Sequence, residues 1–312
     1  GGNPDAVGAM RAGVRAILED PLDPKRLKSA LIENAEQARK RWLSVVANTA
    51  AAQNSDTRGS VITVISPKGG VGKTTVSTNV AVGLAKKAPN QVVLLDLDVQ
   101  FGDVASALGL TPTHTLLDIL KGPAKNDLLV LKSFITEHES GLRVIPAPLA
   151  PEQASQITAD EITQLLNILV NHFEYVVVDT SPGFSELTLA ALEKSSDTVI
   201  VSELDVPSLR GVRKALDVLI ALNLNGNSRK IVLNNMGRTA GLKIADARKL
   251  LSEPITAEIP SSTKVMFSTN EGVPVLQKAR NGRATRELQY LVDGLEKNSR
   301  PGAYASNKGL VA

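Results

Sequence analysis

The stretch "SPKGGVGKTT", residues 66–75, decides how the rest of the chain is read. It follows an apolar run, "VITVIS" at 61–66, and leads into "KTTVSTNVAVGLAKKA", a segment with helical periodicity that starts at Lys73. A glycine-rich turn between a buried strand and a helix N-terminus has the context of a phosphate-binding loop. Glycines let backbone N–H groups turn inward around phosphate oxygens, and the positive end of the helix dipole adds to them. In such a loop Lys73 sits on the terminal phosphates and the Thr74 hydroxyl on Mg²⁺, with Gly69, Gly70, Val71, Gly72 and Thr75 completing the cradle. Two features depart from the common pattern: Pro67 stands where a glycine usually opens the loop, and Lys68 adds a second lysine. A solvated surface lysine is the plain reading of Lys68.

Outward from the loop, apolar runs alternate with helical patterns. Strands are expected at 61–66, 91–98, 142–147, 175–180, 197–204, 230–235 and 255–260, with helix-period segments such as "ADEITQLLNILVNHF" between most of them. Continuous Val/Ile runs imply strands buried on both faces, hence an α/β fold with a mostly parallel central sheet flanked by helices. "YVVVDTSPG" ends a buried strand at Asp179, the pattern that delivers a carboxylate to the water shell of a magnesium ion. "LLDLDVQFGD" places Asp96 and Asp98 at another strand end. There an acidic pair can orient water near a terminal phosphate, or simply cap a loop.

Composition fits one large α/β domain with an appendage: 312 residues, 43% hydrophobic and 21% charged. The absence of cysteine excludes disulfides and thiolate metal sites and fits a reducing cytoplasm, and His114, His138 and His172 lack ligand spacing. No apolar run approaches the ~20 residues that span a bilayer, so no transmembrane segment is expected. A formal charge of +3 is too small to argue for a nucleic-acid partner by itself.

Residues 1–46 read as helix, short strand, helix, too little to bury a core, and the leading "GG" reads as an expression scar. This stretch resembles the C-terminal third of a response-regulator receiver domain, truncated upstream. Active receivers carry a lysine immediately before the proline at this point, where the sequence has Asp20, so phosphorylation signalling does not follow. Residues 47–60, rich in Ala and Ser, read as a linker; 61–297 form the main domain; 298–312 are expected to be a disordered tail.

Residues from 60 to about 295 resemble the ParA/MinD group of deviant-Walker P-loop NTPases, whose loop is written K-G-G-x-G-K-[ST]. The resemblance implies a slow, regulatory ATPase using ATP and Mg²⁺ and forming an ATP-dependent homodimer. It makes Lys68 the signature lysine that reaches the nucleotide of the other subunit, a catalytic group together with Lys73 and the water-activating Asp98. It assigns Thr74, Asp179 and, less directly, Asp96 to the metal, and gives the Gly183 N–H a role in sensing the γ-phosphate. Asn234 matches the asparagine that bonds the adenine edge, although Asn235 replaces the usual arginine, and Pro260 with Ser262 match the segment that closes over the base. No aspartate follows an Asn-Lys pair to read guanine, which favours ATP over GTP.

Within that group, "DLDVQFGDVASALGL" and Asp179 to Arg210 resemble the CpaE/TadZ branch, which implies a role in localising or assembling Tad/Flp-type pilus secretion machinery. The protein is then expected in the cytoplasm, recruited by partners to a cell pole or to the inner face of the membrane. Two alternatives stay open. A DNA partition ATPase would use the cations of "LQKARNGRATREL", Lys278, Arg280, Arg283 and Arg286, although such runs are usually solvated helix faces. A MinD-like membrane switch would need an amphipathic anchor, but Leu288, Leu291, Val292 and Leu295 on the last helix are expected to dock on the domain.

Overall fold

Strand runs made of Val, Ile and Leu with no polar alternation cannot leave a face in water, so they must lie between two layers of helices. That is the arrangement seen in the computed structural model, which describes residues 58–125, 127–224, 228–236, 241–278 and 281–298. The receiver-like segment, nearly all of the linker and the tail beyond Asn298 lie outside the described residues.

In chain order the elements are β1 (Ser60–Ile65), α1 (Lys73–Ala85), β2 (Val92–Leu97), α2 (Val104–Ala107), α3 (Leu116–Lys121), α4 (Leu128–Phe134), β3 (Thr136–Glu137), β4 (Arg143–Ile145) and α5 (Ala159–Leu169). There follow β5 (Tyr175–Thr180), α6 (Glu186–Lys194), β6 (Asp197–Ser202), α7 (Val206–Ala221), β7 (Ser228–Met236), α8 (Ile244–Leu251), β8 (Ile255–Pro260), α9 (Thr263–Asn270), α10 (Val275–Lys278) and α11 (Arg283–Asn298). The eight strands form one sheet in the order β3-β4-β2-β5-β1-β6-β7-β8. Every pairing is parallel except β3 with β4. The seven expected strands are all present. The eighth, β3, has only two residues, one half-buried and one exposed, and so left no apolar run to find. β4 stops at Ile145, short of the expected 147, since Pro146 cannot donate to the ladder.

The period of two along each strand sorts its residues into the two layers. On one face Ile62, Val64, Leu94, Val177 and Val199 pack with α1 and α11. On the other, Val61, Val93, Leu95, Val176 and Val178 pack with α3 and α5, and Ile65, Ile200 and Ile231 pack with α7 and α8. The apolar stripe of α11, Leu288, Leu291, Val292 and Leu295, is at most 1% exposed, so it belongs to the core, as expected. Among the described residues no helix is long and apolar enough to cross a membrane.

Helix α1 is buried along nearly its whole length, with small residues where neighbours come close. At Gly83 an added Cβ would stand 2.7 Å from Val292 Cγ2 and 3.1 Å from Leu276 Cδ1. Valine is stiff at χ1 and cannot swing aside freely. Gly83→Ala is therefore expected to lower the unfolding free energy by about 1–3 kcal/mol through overpacking. Urea denaturation would measure this; an unchanged midpoint would mean that α11 shifts without cost.

Candidate nucleotide-binding site

In a parallel sheet all strands end on one edge, and ligands bind there. Here β1, β2, β5, β6 and β7 each deliver polar side chains to that edge.

The loop after β1 turns through Gly70 (φ 77°) and Gly72 (φ 88°), left-handed conformations open to glycine. Gly72 has a second reason to be glycine: a Cβ there would come within 2.3 Å of Asn234 Nδ2. The Asn234 amide, from β7, donates to the Val71 carbonyl at 2.8 Å and so braces the loop from behind. Ser66 braces its start, its hydroxyl donating to the Lys68 carbonyl (2.9 Å) and accepting from the Lys68 N–H (3.2 Å). Helix α1 begins directly after Gly72, with no acidic residue in its first turn to compete for an anion.

Lys73 is buried, 7% exposed. Desolvation lowers its ammonium pKa, and the negative charges of Asp179 and Asp98 oppose that shift. Thr74 donates its hydroxyl to Asp179 Oδ2 at 2.7 Å. The other oxygen, Asp179 Oδ1, is buried with no hydrogen-bond partner. Burial pushes the Asp179 carboxyl up to about 6 even though Thr74 and Lys73 favour its charged form. A buried carboxylate oxygen without a donor is a costly feature unless a cation or its water completes it. Among the described residues no cluster of three or more His, Cys, Asp or Glu could cage an ion. Magnesium at a phosphate site takes one or two protein ligands and fills the rest with water and phosphate oxygens. Thr74 and Asp179 therefore fit Mg²⁺.

Asp96, the register partner of Asp179 across β2 and β5, is differently engaged. Its Oδ1 accepts from the Asp98 N–H (3.0 Å) and its Oδ2 from the Val104 N–H (3.2 Å), so both oxygens fasten the loop between these residues. Burial, and then the neighbouring Asp179, raise its carboxyl well above the ordinary value. Gly102 closes this loop: an added Cβ would meet Asp96 Oδ2 at 2.4 Å and the Ala147 Cβ at 2.6 Å. Asp98 itself stands half-buried at the front of the loop.

The two lysines of the loop point to different places. Lys68, whose side chain is 47% exposed, directs its ammonium to Glu203 Oε2 (3.4 Å), Asp205 Oδ2 (3.3 Å) and the Ser208 hydroxyl (3.2 Å). The Asp205 carboxylate, with Glu203, raises its pKa. Burial works against the charge of Asp205, yet its bonds to Ser208 and Lys68 hold its pKa low. These three partners of Lys68 were not identified from sequence. The signal available was "DVPS", an aspartate capping a helix with proline in its first turn, which predicts the cap but not the lysine that meets it.

Other expected residues are distributed along the same edge. Gly69 and Gly70 are exposed on the loop, and the Thr75 carbonyl accepts from Asn79 Nδ2 at 2.8 Å. The Gly183 N–H is not free, since it donates to the Ser66 carbonyl at 2.9 Å. Pro260 ends β8 and Ser262 precedes α9, three strands away from β1. The side chain of Asn235 and all of Arg280 lie outside the described residues.

Comparison with known proteins shows what the chain is similar to in sequence and in fold. The AAA domain family matches residues 59–231. A putative septum site-determining protein MinD of Guillardia theta is 30% identical over 247 residues, covering 76% of this chain and 89% of that protein. In fold, the chain is similar to a ParA family ATPase from Chlorobium tepidum, with TM-score 0.71, 23% identity and coverage of 77% of this chain and 100% of that one. It is likewise similar to a septum site-determining protein MinD from Pyrococcus horikoshii, solved with Mg-ADP, with TM-score 0.67, 21% identity and coverage of 77% and 96%.

The buried Asp179 carboxyl gives a pH signature in the nucleotide-free protein. A carboxyl whose pKa is raised on folding binds more protons folded than unfolded, so stability falls as pH rises from about 4 to about 6 and then levels. Asp179→Asn keeps an acceptor for Thr74 and removes the charge. It is expected to flatten that part of the profile and to raise the melting temperature at pH 7; thermal melts from pH 4 to 8 test this, and parallel profiles would contradict it.

Proposed function

The chain belongs to the ParA/MinD family of P-loop ATPases, and on that premise we propose that it is an ATP-dependent dimerising switch that positions other cellular machinery. The observation that carries this reading is the divergence of the two loop lysines. Lys73 is buried beside Asp179, whereas Lys68 turns away to Glu203 and Asp205 at the start of α7. A phosphate loop that used both lysines on its own nucleotide would point both inward.

In this reading the triphosphate of ATP lies on the N–H groups of residues 69–75 and the N-terminus of α1, with its terminal charge on Lys73. Thr74 and Asp179 would hold Mg²⁺, which would supply charge neutralisation for the phosphates. Asp98, on a loop tied to Asp96, orients the attacking water. The ion pairs of Lys68 are solvent-exposed and therefore weak. A second subunit's polyphosphate can therefore draw Lys68 away from Glu203 and Asp205. Gly183 likewise exchanges its bond to Ser66 for a phosphate oxygen, which links the loop after β5 to the nucleotide state. Asn234, besides bracing Val71, reaches the base, with Pro260 and Ser262 alongside it. Hydrolysis resets the dimer.

The partner reading rests on the sequence of the loops: "DLDVQFGD" and Asp179 to Arg210 favour the positioning of Tad/Flp-type pilus machinery, at a cell pole or the inner face of the membrane. DNA partition is the second reading, favoured by Arg283 and Arg286, which stand exposed on α11. DNA retention that falls steeply with salt would select it.

Lys73→Ala is expected to weaken ATP binding by roughly ten- to a hundredfold, from the loss of charge-assisted hydrogen bonds. Equilibrium binding of a fluorescent ATP analogue reads this, and unchanged affinity would remove the basis of the site. Lys68→Ala should bind ATP as the parent does yet remain monomeric in light scattering. An ATP dimer of normal strength in that variant would refute the trans role.

A further inference from the structure

Helix α11 carries its charge unevenly. Its acidic side chains are engaged: Asp293 and Glu296 each pair with Lys87 at 2.6 Å, and Glu287 Oε2 accepts the Glu258 N–H of β8 at 3.1 Å. Arg283 and Arg286 stand exposed, and their side chains make no ion pair or hydrogen bond among the described residues. Glu287 lies four positions after Arg283, a spacing at which opposite charges on a helix ordinarily pair. Its carboxylate is instead held by the strand. β8 is one edge of the sheet, and an edge N–H left open invites another strand to pair with it. Glu287 therefore closes the edge at Glu258 and, in doing so, leaves Arg283 without a counter-charge.

Tyr290 completes the surface. Positions 283, 286 and 290 succeed one another at intervals of three and four residues, so they share one face of α11. The Tyr290 side chain is large, yet the residue is 63% exposed. With Arg283, Arg286 and Glu287 it lines an open groove of about 570 Å³. β8, to which Glu287 ties this face, lies three strands from β1 in the sheet, so the groove is separate from the phosphate loop.

We propose that this groove docks an acidic helical segment of another protein, with two carboxylates on Arg283 and Arg286 and an apolar side chain on Tyr290. Arginine and tyrosine are among the residue types that carry most of the binding energy at protein interfaces. A guanidinium offers a carboxylate two parallel N–H donors, and both guanidiniums are free to do so. The spacing on α11 is that of one helix face, and a second helix with Glu at i and i+3 and Leu at i+7 presents a face of the same spacing. DNA would meet the same arginines, but the groove is not of one sign. A duplex carries phosphates continuously and would meet the fixed Glu287 carboxylate. A helix can set its two carboxylates on the arginines and a neutral residue opposite Glu287. The contact is independent of the nucleotide reading, since none of its residues belongs to the phosphate site.

The probe is a fluorescein-labelled, Ala-based helical peptide with two Glu three positions apart and a Leu four positions further on; its control carries Gln in place of both Glu. Fluorescence polarisation should show the Glu peptide bound at least roughly tenfold more tightly than the control. Arg283→Ser/Arg286→Ser should abolish that preference, and Tyr290→Ala should weaken the Glu peptide roughly tenfold. These side chains are exposed, so the variants should melt as the parent does, which separates a lost contact from a lost fold. Equal binding of the two peptides, or a preference that survives the loss of both arginines, overturns the proposal. So does duplex DNA bound through the same arginines more tightly than the Glu peptide, which assigns the groove to nucleic acid. A parent that sediments as a dimer only while both arginines are present assigns it to a second copy and overturns the proposal as well.

Discussion

Everything at the nucleotide edge depends on one buried carboxylate. Asp179 ends a strand that is buried on both faces, with one oxygen bonded to Thr74 and the other without a donor. It lies beside a second buried carboxylate, Asp96, and is opposed by Lys73, itself partly deprived of water. In the absence of ligand this is an unfavourable concentration of charge, and burial shifts all three groups toward their neutral forms. In the proposed reading, a polyphosphate with its metal ion would supply the missing positive charge beside Asp179 and the missing negative charge beside Lys73. The parallel sheet makes the arrangement tolerable, because its central strands fix the groups rigidly and exclude their collapse onto one another.

The same economy of parts links the loops. Asp96 gives both oxygens to the backbone of the loop that carries Asp98, Asn234 braces the phosphate loop at Val71, and Ser66 holds both the Lys68 backbone and the Gly183 N–H. Each loop is thus tied to its own or a neighbouring strand end by one or two hydrogen bonds. Such bonds contribute on the order of 1 kcal/mol each, small enough for a bound phosphate to replace them. A switch needs contacts of this strength; stronger ones would lock the loops in a single state.

Much of this was legible in the sequence. The phosphate loop, the Walker-type Asp179 and the apolar strands are local signals: spacing within ten residues, or period along a strand. The expected strand positions hold to within a few residues, with Pro146 shortening β4 and the two-residue β3 too brief to register. The apolar stripe of α11 was read correctly as a docking face: three leucines and a valine at helical spacing form one apolar face, which here is buried in the core. The engagement of Asp96 was harder to foresee. A carboxylate at a strand end looks alike in sequence whether it turns to a metal or to the backbone of its own loop.

By itself, then, the sequence determined the α/β class and the family and pointed to the residues proposed to face the phosphates, since these follow from short-range pattern and side-chain chemistry. Only the tertiary structure decided what those residues touch without a ligand. Lys68 meets Asp205, 137 positions away, and Asn234 meets Val71 across 163. Gly183 donates to Ser66, and Gly102 comes to stand against Ala147. The physical reason is the parallel sheet: it gathers strand ends far apart in the chain onto one edge, and no spacing along the sequence records which of them become neighbours.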